Sequence, residues 1–298
     1  MNVRSTSFIN ISGDRKLNFF SASFWLLANI LNNLLPNYKI DKNIKHLKFK
    51  FRKNDLSYIK TNNYLSPARF LCDLFWINFP FYKFYNKLPK PFKICEVGCG
   101  TGVYPNLLKN IMVDNKISYT GIDLKKYKEW DNFDKSIFKF IVDKSDNIKN
   151  YLNDIDFLFT QSAIEHFDRD LFFFKQVADH VSNINKPFLQ IHLFPSHKCL
   201  FTYLNHGYRQ YTPRNISKIT KYFNNSDIYL YKLESYNSNN IHRKFITFPK
   251  ILRIDDKRFS KNKEYINEII ASLNHKSKNK HLTFYALVIS SNNKIDLN

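Results

Sequence analysis

Three of the six glycines in this 298-residue chain fall within five residues, at Gly98, Gly100 and Gly102. They follow directly on Phe92-Lys93-Ile94-Cys95-Glu96-Val97, a short apolar run, and they precede a helical stretch from about Tyr104 to Met112. Glycine lets the backbone turn sharply and lets a ligand come close to the main chain. A strand, a glycine loop and a helix in that order open a parallel α/β unit. The alternation continues downstream. Apolar strands are expected at Ile117–Ile122, Phe138–Val142, Ile155–Thr160, Pro187–Leu193, Ile228–Leu233 and His281–Ser290, with helices at Leu171–Val181 and from Thr212-Pro213 to about Phe223. This pattern predicts an α/β fold: a seven-stranded, mostly parallel sheet with helices on both faces and ligands at the carboxyl ends of the strands.

The regions around this unit are less regular. Residues 1–60 read as a basic, helical N-terminal extension, and residues 61–298 as the main domain with an insertion at about 236–280. Ser66-Pro67 is a helix start, with serine as N-cap and proline in the first turn. Within the insertion, Phe245-Ile246-Thr247-Phe248 reads as a strand and Asn262–Leu273 as a helix. The apolar stretch Phe19–Leu35 is broken by Ser21, Ser23, Asn29, Asn32 and Asn33 and stops at Pro36, too short and too polar to span a bilayer. It suits an amphipathic helix packed on the main domain, with peripheral membrane contact as the other use. No signal peptide is evident, and the four cysteines form no CxxC pair, so a cytoplasmic protein is expected.

The formal charge is +21. Residues 1–90 hold 15 Lys and Arg against four Asp and no Glu. Such an excess suits an anionic partner: nucleic acid, a membrane face or a phosphorylated substrate.

The glycine spacing decides among nucleotide loops. A dinucleotide loop needs a third glycine where Val103 stands, and a phosphate-binding P-loop needs a Gly-Lys-Ser/Thr that is missing. Glu96-x-Gly98-x-Gly100-x-Gly102 instead resembles motif I of the class I, Rossmann-like S-adenosylmethionine-dependent methyltransferases. The resemblance covers roughly residues 60–235 and the last strand. It implies that Glu96, Gly98, Cys99, Gly100 and Gly102 surround the methionine part of S-adenosylmethionine. It further implies that Asp123, with Leu124 beside it, takes the ribose hydroxyls, that Asp143 and Lys144 lie at the adenine, and that Gln161 and Ser162 flank the cofactor at the end of the fourth strand. The product would be S-adenosylhomocysteine.

Gln161-Ser162-Ala163-Ile164-Glu165-His166-Phe167 is similar to the S-x-x-E-H segment of small-molecule and glycan methyltransferases, and the Asn/Asp-Pro-Pro-aromatic motif for base amines is missing. The expected reaction is therefore O-methylation of a sugar or glycan precursor, phosphorylated or lipid-linked, with a histidine as base. His166 and His197 are the candidates, and His206, Tyr208 and Arg209 are the candidate acceptor-binding residues. An RNA methyltransferase and an inactive binding module of the same fold are the alternatives. No histidine has metal-ligand spacing, so no metal site is expected.

Overall fold

Phe157 and Phe159 turn to one side of a sheet and Leu158 to the other, and each side is closed by its own apolar cluster. This is why the strands read as continuous apolar runs rather than as alternating ones: a parallel sheet is buried on both faces. The protein is described here from a computed structural model covering residues 5–37, 39–85, 88, 90–112, 116–293 and 297. The strands are β1 (Ile44–Lys48), β2 (Phe92–Val97), β3 (Ile117–Asp123), β4 (Phe138–Val142), β5 (Phe157–Gln161), β6 (Phe188–Pro195), β7 (Asp227–Ser235) and β8 (His281–Ser291). They lie in the order β1-β7-β8-β6-β5-β2-β3-β4. All neighbours run parallel except β8, which is antiparallel to β6 and β7.

The chain leaves β2 toward β3 and β4, then returns to add β5 and β6 on the other side of β2. The crevice at such a reversal is where a doubly wound sheet binds its ligand. It puts Gly98, after β2, beside Ser162, after β5.

The main helices form where the capping signals stand. They are α1 (Phe19–Leu34), α2 (Pro67–Asn78), α3 (Tyr104–Ile111), α4 (Asp170–Ser182), α5 (Pro213–Thr220) and α6 (Asn262–Asn274). The Ser66 side chain accepts from the amide of Arg69 at 3.3 Å to start α2. Thr212 and Asn215 exchange side-chain and backbone hydrogen bonds to start α5.

Two expectations are corrected. The sheet has eight strands, not seven, because the extension is not wholly helical: Ile44–Lys48 pairs in parallel with Ile228–Lys232. Only Ile44 of that strand is buried, so it shows no alternation to read. Residues 243–252 are helical rather than a strand. Phe245 there packs with Ile59, Phe70, Tyr265 and Ile269, a cluster joining the insertion to α2.

Candidate functional site

The glycine loop is held by its own amides. Gly98 and Cys99 both donate to the Ile122 carbonyl, at 2.8 and 3.2 Å, and Gly102 donates to Cys99 at 3.0 Å. Gly100 donates to the Asp123 carboxylate at 2.8 Å. With these four N–H groups spent, the loop lacks the array of free amides that cradles a phosphate. Gly98 (φ 81°) and Gly100 (φ 53°) lie in the left-handed region. A Cβ on Gly98 would come within 2.4 Å of the Ala163 Cβ, whereas one on Gly100 would point into open space.

A cleft of about 870 Å³, with Gly98 and Gly100 on its lining, runs along the carboxyl ends of β2 to β5. The side of the cleft along the glycine loop is lined by Gly98, Gly100, Asp123, Leu124, Asp143, Lys144 and Ser162, all of them named as candidates from the sequence. Asp123 ends β3 and also accepts from the amide of Leu124 at 2.7 Å. Asp143 follows β4. Hydrogen bonds from Tyr151 and Asn147 hold its carboxyl below the usual range. Leu124 is exposed, an apolar side chain free to lie against a ring. Five aspartates line the cleft (Asp14, Asp123, Asp143, Asp146 and Asp168), against Arg15, Lys125 and Lys144. In a chain of net charge +21, this surface is locally acid-rich.

The other side of the cleft contains residues of the N-terminal segment, Ser12, Asp14 and Arg15, facing His166 and Tyr208. Asp14 Oδ2 and His166 Nδ1 are 2.6 Å apart. Asp14 Oδ1 accepts from the amide of Gly207 at 3.2 Å. The His206 ring stands edge-on to His166, with centroids 4.6 Å apart. Beneath them lies the fully buried Glu165. Its Oε1 accepts from Ser162 Oγ at 2.7 Å and lies 3.6 Å from His206 Nε2 and 3.9 Å from His166 Nε2. Burial alone would raise the Glu165 carboxyl, but the two imidazoles and the Ser162 hydroxyl hold it below its ordinary value. Burial works against the charged form of His166, but its bond to Asp14 and the Glu165 charge prevail and raise its pKa.

Asp14 was not among the expected site residues. It reaches the cleft because Gly13 donates to the Gly207 carbonyl at 2.8 Å, an approach that would put a Cβ on Gly13 within 2.5 Å of the Asn205 backbone. The Gly13-Asp14 step, in so glycine-poor a chain, was the available signal. No metal site was expected. Yet among the described residues Asp14, His166 and His206 bring ligand-type atoms within 4.8 Å of one another. Those of Asp14 and His166 are already bonded to each other.

Several expected residues lie elsewhere. Arg209 does not line the cleft. It is fully buried, donates to Ser7 Oγ, Phe167 O and Asp168 O, and pairs with Asp170 at 3.3 Å. Asp170 in turn accepts from the Thr6 amide and hydroxyl and from Tyr211, so this pair ties the N-terminal segment down. His197 is also displaced from the cleft. Its Nδ1 faces the Tyr211 carbonyl at 3.3 Å, and burial lowers its pKa. Glu96, Cys99, Gly102 and Gln161 lie behind the cleft wall rather than on it. Glu96 is buried against the Tyr119 hydroxyl at 2.5 Å, and burial pushes its pKa up to about 8. Gln161 accepts from Trp76 Nε1 at 3.1 Å. His206 backs His166, and Tyr208 lines the cleft.

No family model matches the chain, and no curated protein sequence matches it. Solved structures similar to it include the plantazolicin methyltransferase BamL in complex with a triazolic desmethylPZN analog and SAH (14% identity, 81% of this chain and 91% of that one, TM-score 0.42). Another is phosphoethanolamine N-methyltransferase 2 of Haemonchus contortus in complex with S-adenosyl-L-methionine (10% identity, 79% of this chain and 59% of that one, TM-score 0.44). A third is the [4+2]-cyclase SpnF (12% identity, 67% of this chain and 74% of that one, TM-score 0.43).

Proposed function

We propose that this chain is a class I S-adenosylmethionine-dependent methyltransferase acting on a hydroxyl of a small polar acceptor, a sugar or glycan precursor. The observation that carries the reading is the cleft at the sheet's reversal point. The amides of Gly98, Cys99, Gly100 and Gly102 are spent within the protein, and aspartates outnumber lysine and arginine on the wall, so the cleft suits a cationic ligand rather than a pyrophosphate.

The residues present fit that cofactor. Each Asp123 oxygen already accepts one amide and keeps a lone pair for a ribose hydroxyl. Leu124 offers an apolar face to the adenine, and Asp143 with Lys144 lies at its edge. Gly98, Gly100 and Ser162 leave room for the methionine end. When bound, S-adenosylmethionine supplies a methyl group on a cationic sulfur, already activated for transfer. The protein's share is alignment, exclusion of water and removal of the acceptor proton.

His166 is the base in this reading. Asp14 holds the Nδ1 proton, so Nε2 is the nitrogen that accepts the hydroxyl proton as the new O–CH₃ bond forms. The ring orientation is fixed by Asp14 on one side and by the His206 ring on the other. Tyr208 and Arg15 complete the acceptor side, and Arg15 suits the phosphate of a lipid- or nucleotide-linked acceptor. Four free, buried cysteines agree with a reducing cytoplasm.

Calorimetry with S-adenosylhomocysteine tests the reading first. Saturable one-site binding is expected, followed by methyl transfer from labelled S-adenosylmethionine to sugar or nucleotide-sugar hydroxyls. Absence of binding removes the enzyme reading and leaves a scaffold of this fold. Labelled RNA with unlabelled sugars makes it an RNA enzyme.

A further inference from the structure

Helix α1 is built inside out. The residues it buries are Trp25, Ala28, Asn29 and Asn32, while Phe19 and Phe20 are 80 and 81% exposed. Phe24, Leu27, Leu31 and Leu34 are exposed as well, so a stripe at 20, 24, 27, 31 and 34 faces outward along the whole helix. Helices in soluble proteins turn such a stripe toward the core. Here the inner face is fixed by polar contacts instead: Trp25 Nε1 donates to Gly207 O at 2.9 Å, and Arg214 donates to Asn32 at 2.9 Å.

A second apolar lobe is anchored on the same stretch of chain. Phe248, Ile251, Leu252 and Ile254 are exposed. Their segment is fixed by Thr247 Oγ1 donating to Thr202 O at 3.0 Å, while Asn33 of α1 donates to His197 O at 3.4 Å. Between these anchors Phe201 is itself exposed. The stretch continues into His206 and Tyr208, on the acceptor side of the cleft.

We infer that this surface docks the protein on an anionic lipid bilayer, with α1 lying in the plane of the interface. Charge selects that occupant. Helix α1 carries no charged residue, but exposed Arg15 and Lys16 precede it and exposed Lys39 and Lys42 follow it. Exposed Lys198 lies beside Phe201, and exposed Lys250 and Arg253 interrupt the second lobe, with Asp255 the nearest exposed acid in sequence. A second copy on this face would bring those cations together, and the acids next to them are already engaged, Asp14 with His166 and Asp41 with Thr220. Anionic headgroups neutralise them, and large apolar side chains ringed by bases are the pattern of interfacial helices. Among the described residues no helix is long and apolar enough to cross a membrane, so attachment here is peripheral.

The test is cosedimentation of the full chain with phosphatidylcholine vesicles, with and without about a third phosphatidylglycerol. Binding to the anionic vesicles, weakened by salt and absent from pure phosphatidylcholine, is expected. The triple variant Phe24→Glu, Leu27→Glu, Leu31→Glu should lose at least about tenfold in partitioning, with its melting temperature and S-adenosylhomocysteine affinity unchanged. The pair Lys250→Glu, Arg253→Glu leaves α1 intact and should weaken binding by a similar factor. Failure of the wild-type chain to bind anionic vesicles overturns the inference. So does undiminished binding of either variant, or a dimer that the triple variant dissociates. The cofactor assay is independent of all these outcomes, so it separates failure here from failure of the methyltransferase reading.

Discussion

Asp14 and His166 stand 152 positions apart in the chain and share a hydrogen bond of 2.6 Å in the wall of the cleft. The bond gives the imidazole a fixed orientation and, in the proposed reaction, leaves Nε2 for the acceptor. His166→Gln is expected to lower turnover by about 10² to 10⁴-fold, the usual worth of a general base, with cofactor affinity nearly unchanged. Steady-state rates beside calorimetry measure both. Full turnover in the variant would remove His166 from the chemistry.

The same pair sets a pH dependence. Despite the cost of burial, the His166 pKa is raised above 6.5, through Asp14 and Glu165. The basic form is therefore populated only as pH rises through that higher value. The rate should climb with pH and level off, with its inflection above 6.5. In Asp14→Asn one anion is removed, so the inflection should move to lower pH while the plateau falls. A profile that keeps its wild-type inflection would mean that another group titrates.

Asp123 accepts from two loop amides and holds a position at the end of β3. Asp123→Ala removes the carboxylate from a ligand that would donate hydroxyls to it. Hydrogen bonds to charged groups are worth about 1.5–3 kcal/mol, so S-adenosylhomocysteine binding should weaken by about ten- to a hundredfold. Unchanged affinity in calorimetry would place the ribose elsewhere.

The glycine-loop half of the cleft was legible because it is local. Gly98, Gly100, Asp123, Asp143 and Ser162 stand at or within three residues of the carboxyl end of an apolar strand, and a parallel sheet brings strand ends together. The opposite wall was not, because Asp14 joins it through a backbone contact between Gly13 and Gly207 that no periodicity encodes. His197 and Arg209 were misplaced for a related reason. A dense run of polar residues looks like a site, yet Arg209 is buried to compensate Asp170. In β1, Ile-Lys-His-Leu-Lys is an edge strand with one buried side chain, so it lacks a strand's usual pattern.

Arg209 and Asp170, both with fully buried side chains, make a sharp contrast between packing and binding. Arg209→Met leaves Asp170 buried without its cation. Breaking such a pair costs about 3–5 kcal/mol, so a large drop in melting temperature is expected. Loss of acceptor affinity at unchanged stability would return Arg209 to the binding residues.

Two glycines of the loop should separate folding from binding. Gly98 has φ 81°, and an added Cβ would press on Ala163 at 2.4 Å. Gly98→Ala therefore combines left-handed strain of about 1–3 kcal/mol with a collision between two fixed backbones, and the protein should lose stability markedly. Gly100 has φ 53° but nothing within 4 Å of the added Cβ. Gly100→Ala pays only part of that cost and leaves the core packed, while its methyl group projects toward the cleft. Thermal melting should show a far larger loss for Gly98→Ala, whereas S-adenosylhomocysteine affinity in folded protein should fall for Gly100→Ala. If Gly100→Ala binds as tightly as wild type, the ligand does not approach the loop at that residue, and the cofactor must be moved along the cleft toward Asp143.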